Sequence, residues 1–263
     1  MKKCKYCGKE YKENNKEILE NLPVFLRENL RYIPDCNCLE LKKEKEFEKL
    51  EKQYEAERRK NRVNRYKSIS IIDDKFYSSR FENADEDNII IFLKKYADKF
   101  LTSDKVPAGL YLYGNVGTGK TYGVSCLANK LMEKGKTVLI MNLGLYLVKI
   151  KSEFKVGVSG DIESEILNFI KECDLLIIDD LGVEKNSEFV LEKVFNLIDT
   201  RYRTNKPMII TSNLSLDDMG EGPNKKFDMR IKDRILGSTF QFYCAGSSKR
   251  KVDKKEFLDW LAN

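Results

Sequence analysis

Residues 109–135 read GLYLYGNVGTGKTYGVSCLANKLMEKG, and this stretch decides the fold. Leu110–Tyr113 has the apolar run of a strand, and Thr121–Lys134 has the composition of a helix stopped at Gly135. Between them Gly114-Asn115-Val116-Gly117-Thr118-Gly119-Lys120-Thr121 is a complete G-x-x-x-x-G-K-[ST]. Glycines at 114, 117 and 119 let the backbone take conformations closed to bulkier residues and turn N–H groups onto phosphate oxygens. The helix that follows the loop, with Tyr122 in its first turn, directs its positive end at the same anion. Lys120 then reaches the β- and γ-phosphates, and the Thr121 hydroxyl suits Mg²⁺. A loop with this spacing between a strand and a helix predicts a site for ATP.

Working outward, strands alternate with helices. Val138–Met141 is a second strand, followed by helical Leu145–Phe154. Leu175–Ile178 is a buried strand, and Val190, Leu191, Val194, Phe195 and Ile198 mark one face of a helix. Pro207–Thr211 and Thr239–Tyr243 are further strands. This alternation predicts an α/β fold, a parallel sheet covered by helices on both faces. The strand at 175–178 delivers Asp179 and Asp180 at its C-terminal end, the edge where ligands bind in open α/β sheets. Neighbours on a strand point opposite ways, so the two acids should differ in role, one on Mg²⁺ and one on the attacking water.

The opening GLYLYGNVGTGKT with its continuation to residue 155, together with LLIIDDLG (175–182) and KPMIITSNLS (206–215), resembles the AAA+ ATPases of the DnaC/DnaI helicase-loader and IstB group. The resemblance covers about residues 67–252. It implies a P-loop AAA+ domain in which Asp179 is the Mg²⁺-associated acid and Asp180 the catalytic acid, where most AAA+ proteins carry Glu. It also implies that Asn213 is sensor 1, orienting the attacking water. Met229–Ile235 is similar to the box holding the arginine finger, which acts on a neighbouring subunit's ATP. Arg234 is the first candidate and Arg230 the second, with Lys225, Lys226 and Lys232 nearby as possible phosphate contacts; a basic surface helix is the plainer account of the same residues. Gly246-Ser247-Ser248-Lys249-Arg250 resembles the final G-x-S-x-R element, making Arg250 the sensor 2 candidate. Few residues follow it, so no helical lid is expected. Phe76, Tyr77 and Phe81 are candidates to pack near the adenine.

The amino-terminal region is of another kind. Cys4 and Cys7 form a C-x-x-C knuckle, and Cys36 and Cys38 a C-x-C pair. Four thiolates suit tetrahedral Zn²⁺, with a short helical hairpin bridging the gap; unligated cysteines are the alternative. Cys126, Cys173 and Cys244 lie in apolar runs and read as packed thiols. Residues 39–66 contain no Gly or Pro and alternate acid with base. Phe47, Leu50 and Tyr54 make only a thin apolar stripe there, as in an exposed connecting or docking helix. The expected organisation is a zinc-binding, helicase-docking module at 1–38, a charged helical linker at 39–66 and the AAA+ ATPase domain at 67–263.

Composition narrows the function classes. The 263 residues include no histidine, which removes His-dependent triads and His-bearing zinc sites. Seven cysteines, with no apolar run after the basic start, argue for the cytoplasm and against a disulfide framework. No stretch approaches the ~20 apolar residues of a membrane span. The net charge of +6 is uneven, with basic ends at 1–66 and 225–256 around an acidic middle. That pattern suits an anionic partner such as nucleic acid, although solvated lysines alone account for it. With the resemblance, the expected function is an ATP-hydrolysing replication protein that binds a DnaB-type replicative helicase hexamer, loads it onto single-stranded DNA and self-assembles through AAA+ interfaces. The alternatives are an IstB-like ATPase regulating transposase assembly, whose relatives usually lack the zinc start, and an adaptor using ATP only as a structural switch.

Overall fold

The structure, a computed structural model, describes residues 3–71, 73–105, 107–156, 161–182, 187–220, 228–250 and 261. The chain divides into two units, Met1–Arg59 and Lys60–Asn263.

In the first unit Gly8 takes a φ of 74° and its N–H donates to Cys4 O at 2.8 Å, closing the cysteine knuckle. Strand β1 (Tyr11–Glu13), helices α1 (Lys16–Glu20) and α2 (Val24–Leu30) and strand β2 (Tyr32–Pro34) follow. The strands pair antiparallel, Tyr11 opposite Pro34, so the expected helical hairpin is present with a small ribbon at its base. Arg27 ties the hairpin together by donating to Leu22 O and Glu20 O at 2.9 and 2.8 Å. Helix α3 runs from Cys38 to Ile69. Its Phe47, Leu50 and Tyr54 are exposed, as a charged solvated helix requires.

In the second unit the end of α3 contributes to the core: Val63 and Tyr66 are buried, and Tyr66 packs edge-on against Phe169 at 5.1 Å. The unit continues with α4 (Asn88–Thr102), β3 (Gly109–Tyr113), α5 (Lys120–Glu133), β4 (Val138–Asn142), α6 (Leu143–Val156), α7 (Asp161–Glu172), β5 (Leu175–Leu181), α8 (Glu188–Arg203), β6 (Met208–Ser212), α9 (Leu216–Gly220), α10 (Met229–Ser238) and β7 (Thr239–Tyr243). Side-chain caps fix several helix starts. Asp87 accepts from Ile90 N–H, Ser187 from Val190 N–H and Asp228 from Arg230 N–H, each satisfying an otherwise unpaired donor.

Strands β3 to β7 form one parallel sheet in the order β4-β5-β6-β3-β7. Alternation along each strand builds two cores. Leu110, Leu112, Val138, Ile140, Leu175, Ile177 and Ile209 face α4 and α5, while Leu139, Met141, Leu176, Ile178, Met208 and Ile210 face the helices of the other side. Each fully buried Leu or Ile contributes about 1.5–3 kcal/mol relative to exposure. Packing is close on the α4 side, where a Cβ on Gly123 would stand 2.7 Å from Leu93 Cδ1. Arg201 is fully buried and spends its guanidinium on the carbonyls of Ile170, Cys173, Asp174 and Pro207, holding α7 and β6 to α8.

Because all five strands run parallel, the segments leaving their C-terminal ends gather on one edge. That edge receives the glycine loop after β3, the acids of β5, Asn213 after β6 and residues 244–250 after β7. No helix among the described residues is long and apolar enough to cross a membrane.

Candidate functional site

The glycine loop is built where sterics demand glycine. Gly117 and Gly119 have φ of 82° and 92°, and a Cβ on Gly114 (φ 142°) would come 2.5 Å from Cys244 O. Helix α5 begins at Lys120 immediately after the left-handed Gly119, so its first N–H groups open onto the loop. Val116, Gly117, Thr118, Gly119, Lys120, Thr121 and Tyr122 line a cavity of about 700 Å³, joined by Asp180, Asn213, Lys249 and Arg250. Residues 116–122 and the three distant motifs thus converge on one space; Gly114 and Asn115 do not line it but accept from the Lys120 ammonium through their carbonyls.

Lys120 is 6% exposed, and its ammonium donates to Gly114 O, Asn115 O and Asn213 Oδ1 at 2.8, 2.8 and 2.9 Å. Burial lowers its pKa from the ordinary lysine value, and the nearby Asp180 and Asp179 oppose that shift. Asp179 Oδ1 accepts from Thr121 Oγ1 at 2.9 Å, which puts the two residues expected to hold Mg²⁺ side by side. Burial raises the Asp179 carboxyl above its usual value, against the hydroxyls of Thr211 and Thr121 that favour its charged form. A carboxylate and a hydroxyl adjacent to a phosphate loop form an all-oxygen donor set that fits Mg²⁺.

Strand β5 does not end at Ile178, as the apolar run suggested, but continues to Leu181. Plain alternation is also broken. The register with β6 slips between Ile178 and Leu181, and Asp180 takes a φ of 66°. The bulge separates the roles by another route: Asp179 is buried against Thr121, and Asp180 faces the cavity. Sequence reading missed the residue that holds this arrangement. Thr211, fully buried on β6, donates its hydroxyl to Asp179 Oδ1 at 2.7 Å and accepts from Asp180 N–H at 2.9 Å. Its only sequence signal is a polar residue at the end of an apolar strand, two before Asn213.

The adenine candidates divide. Phe76 lines the cavity, with Asn83, Ala84, Asp85, Ile89 and Ile90. Phe81 instead belongs to the core under α4 and α5, and Tyr77 donates its hydroxyl to Lys67 O at 3.1 Å; neither lines the cavity, which corrects both assignments. The missed Asn129 secures this wall by donating to Phe76 O and Ser79 O at 3.0 and 2.8 Å.

Arg230 and Arg234 are not among the residues lining the cavity. Arg234 is held by Asp199 and lies 4.7 Å from the Phe195 ring, while the more exposed Arg230 pairs with Asp228 at 2.7 Å. Lys232 pairs with Asp217 at 3.0 Å, and Lys225 and Lys226 lie outside the described residues. Cys126, Cys173 and Cys244 are buried, and burial pushes their thiols up to about 11, 11 and 12, as packed cysteines require.

Cys4, Cys7, Cys36 and Cys38 come together, with all four sulfurs within 4.8 Å of one another. Four thiolates about 2.3 Å from a tetrahedral Zn²⁺ stand at comparable separations, so the cluster fits a zinc module. Backbone N–H groups of Tyr6 and Cys7 directed at Cys4 Sγ bring its pKa down to about 6. Side-chain hydrogen bonds with Cys7 and Cys36 push the Cys38 thiol up to about 12.

The family model described as IstB-like ATP binding protein matches residues 46–257. The chain is similar to the replicative helicase loader DnaC of Escherichia coli (strain K12), 28% identical over 184 residues, covering 69% of this chain and 71% of that protein. It is also similar to the replicative helicase loader DnaI of Bacillus subtilis (strain 168), 27% identical over 263 residues, covering 95% of this chain and 79% of that one. A crystal structure of DnaI superposes with a TM-score of 0.55 at 24% identity, covering 71% of this chain and all of that one, a likeness of fold. With a parallel five-stranded sheet, an AAA+ phosphate loop and a family match across most of its length, the chain belongs to the IstB-like ATP-binding family.

Proposed function

We propose that this chain is an ATP-hydrolysing loader of a replicative helicase. It holds a DnaB-type hexamer, delivers it to single-stranded DNA and uses ATP turnover as the switch, in the cytoplasm. The observation that carries this reading is the convergence of Lys120, Thr121, Asp180 and Asn213 on one cavity, with Asp179 hydrogen-bonded to Thr121, in a chain whose relatives are named helicase loaders. The similarity to DnaI extends over 95% of the chain and so reaches into the cysteine-bearing unit, which supports the loader over a transposase regulator.

In this reading Lys120 and the N–H groups of the loop bind the β- and γ-phosphates. Thr121 and Asp179 hold Mg²⁺, which when bound offsets charge on the transferring phosphoryl group. Asp180 takes the proton of the attacking water, Asn213 orients that water, and Arg250 meets the phosphates from the β7 side. Arg234, or Arg230 as the second choice, reaches the site of a neighbouring copy in an assembly built through AAA+ interfaces. Cys4, Cys7, Cys36 and Cys38 hold Zn²⁺ and shape residues 1–38 as the helicase-docking module. Residues 39–66 are the linker and 67–263 the ATPase domain.

The test is capture of a DnaB-type hexamer by the full chain with ATP, beside turnover measurements. The wild type should retain helicase, and Cys36→Ser should release it while still binding ATP. Asp180→Asn should bind ATP and lose turnover by about 100-fold or more, because it alters only the group that receives the proton. Absence of retention by the wild type would remove the loader assignment. Unchanged turnover in Asp180→Asn would remove Asp180 from the chemistry.

A further inference from the structure

Beyond β7 the chain turns back across the glycine loop. Lys249 N–H donates to Gly117 O at 2.9 Å, and Ser248 Oγ lies 2.1 Å from the place a Cβ on Gly117 would take. This strap sets the Lys249 ammonium 4.0 Å from the corresponding Cβ position on Gly119, at the lip of the phosphate loop. There the ammonium pairs with Asp87 Oδ2. The other oxygen of Asp87 caps α4 by accepting from Ile90 N–H at 2.9 Å. Lys249 and Asp87 both line the cavity and are both partly exposed, at 42% and 32% for their side chains.

We propose that Lys249 is a phosphate-binding residue of the nucleotide site and that Asp87 competes for it, so that nucleotide polyphosphate takes the ammonium from the carboxylate. Three observations carry this. The Lys249 stem is held over Gly119 by a backbone bond to the loop itself, so its position follows the phosphate cradle. Its charge meets a single carboxylate at a site where a polyphosphate presents several anionic oxygens. Release leaves Asp87 well placed, since it keeps its bond to Ile90 N–H and stays at the positive end of a helix of 15 residues, with water open to its other oxygen. ATP binding is thereby linked to the start of α4, the helix whose Ile89 and Ile90 line the same cavity.

The proposal rests on the reading of this cavity as the ATP site, and the experiment separates the two. Affinity for ATP is measured with the full chain by equilibrium titration, in wild type, Lys249→Met, Lys249→Arg, Asp87→Asn and the double variant Asp87→Asn/Lys249→Met. Asparagine caps a helix as well as aspartate, so Asp87→Asn removes the charge and keeps α4 started; thermal melting checks this for every variant. Lys249→Met should weaken ATP about tenfold, the size of one charge-assisted phosphate contact, and Lys249→Arg should restore most of the loss. Asp87→Asn should tighten ATP by roughly two- to fivefold, the worth of a part-exposed ion pair. The double variant should match Lys249→Met, because the gain acts only through that ammonium. Lys249→Met within about twofold of wild type, weaker binding in Asp87→Asn, or a gain that survives in the double variant would each overturn the proposal. A wild type that does not bind ATP overturns the reading of the site itself.

Discussion

The two units differ sharply in how much apolar surface they bury. Among the described residues up to Arg59, Cys4 alone is buried, and Val24 and Phe25 of α2 are about three-quarters exposed at 76% and 75%. The second unit instead buries both faces of strands β3 to β6, while the edge strand β7 stays largely exposed. With zinc held by the four sulfurs as proposed, the first unit would draw its order from coordination, whereas the second, with a two-faced core, draws it from burial. The difference teaches that the two should come apart under different stresses. An agent that removes a metal has nothing to act on in a hydrocarbon core, and a cavity in that core leaves the sulfurs untouched.

The largest expected effect tests the first half of this contrast. Metal analysis of protein purified without chelator should find about one zinc per chain. A strong chelator should then unfold the cysteine unit outright, since coordination in small zinc modules supplies on the order of 10 kcal/mol. ATP binding should persist. Loss of ATP affinity in step with the metal, or protein free of zinc, would break the comparison. The second half is tested by Leu139→Ala, at a fully buried position on β4 away from the phosphate loop. It should cost about 2–5 kcal/mol in denaturant unfolding of the ATPase unit, with zinc content unchanged. A smaller effect sharpens the picture inside the second unit. Thr211→Val keeps the shape but withdraws one donor from Asp179 and leaves Asp180 N–H unpaired. It should cost about 1–3 kcal/mol in stability and lower turnover, while Thr211→Ser restores both. Equal losses in the valine and serine variants would assign the effect to packing rather than to the hydroxyl.

The parts of the fold legible in the sequence were those written in neighbouring residues. The phosphate loop spans eight consecutive positions, and the strands at Val138, Leu175, Met208 and Thr239 are short apolar runs with polar ends. Helix α6 begins earlier than its apolar pattern because the Asn142 side chain accepts from Leu145 N–H at 3.1 Å, a cap overlooked beside the hydrophobic signal. Helix α4 carries a helical period at Ile89, Ile90, Leu93, Ala97 and Phe100, but no motif marks that stretch in the sequence. Strands β1 and β2, three residues each, are too short to show a period. In the site, residues from four motifs were found by type, but the groups that position them were not. Thr211 meets Asp179 across 32 residues and Lys249 meets Asp87 across 162, and only the sheet order brings such pairs together.

The positive φ at Asp180 explains a choice that chemistry alone leaves open. Most AAA+ proteins place Glu at the second acidic position, and a longer carboxylate would reach further into the cavity. At a φ of 66°, however, the chain stands where Asp and Asn are several-fold enriched among residues other than glycine, because their short polar side chains tolerate the left-handed turn. The identity of residue 180 is thus a decision of the main chain before it is one of reactivity: the bulge that aims the carboxylate also limits which carboxylate can be used. Asparagine inherits the same tolerance, which makes Asp180→Asn the conformationally quiet exchange at this position and glutamate the strained one.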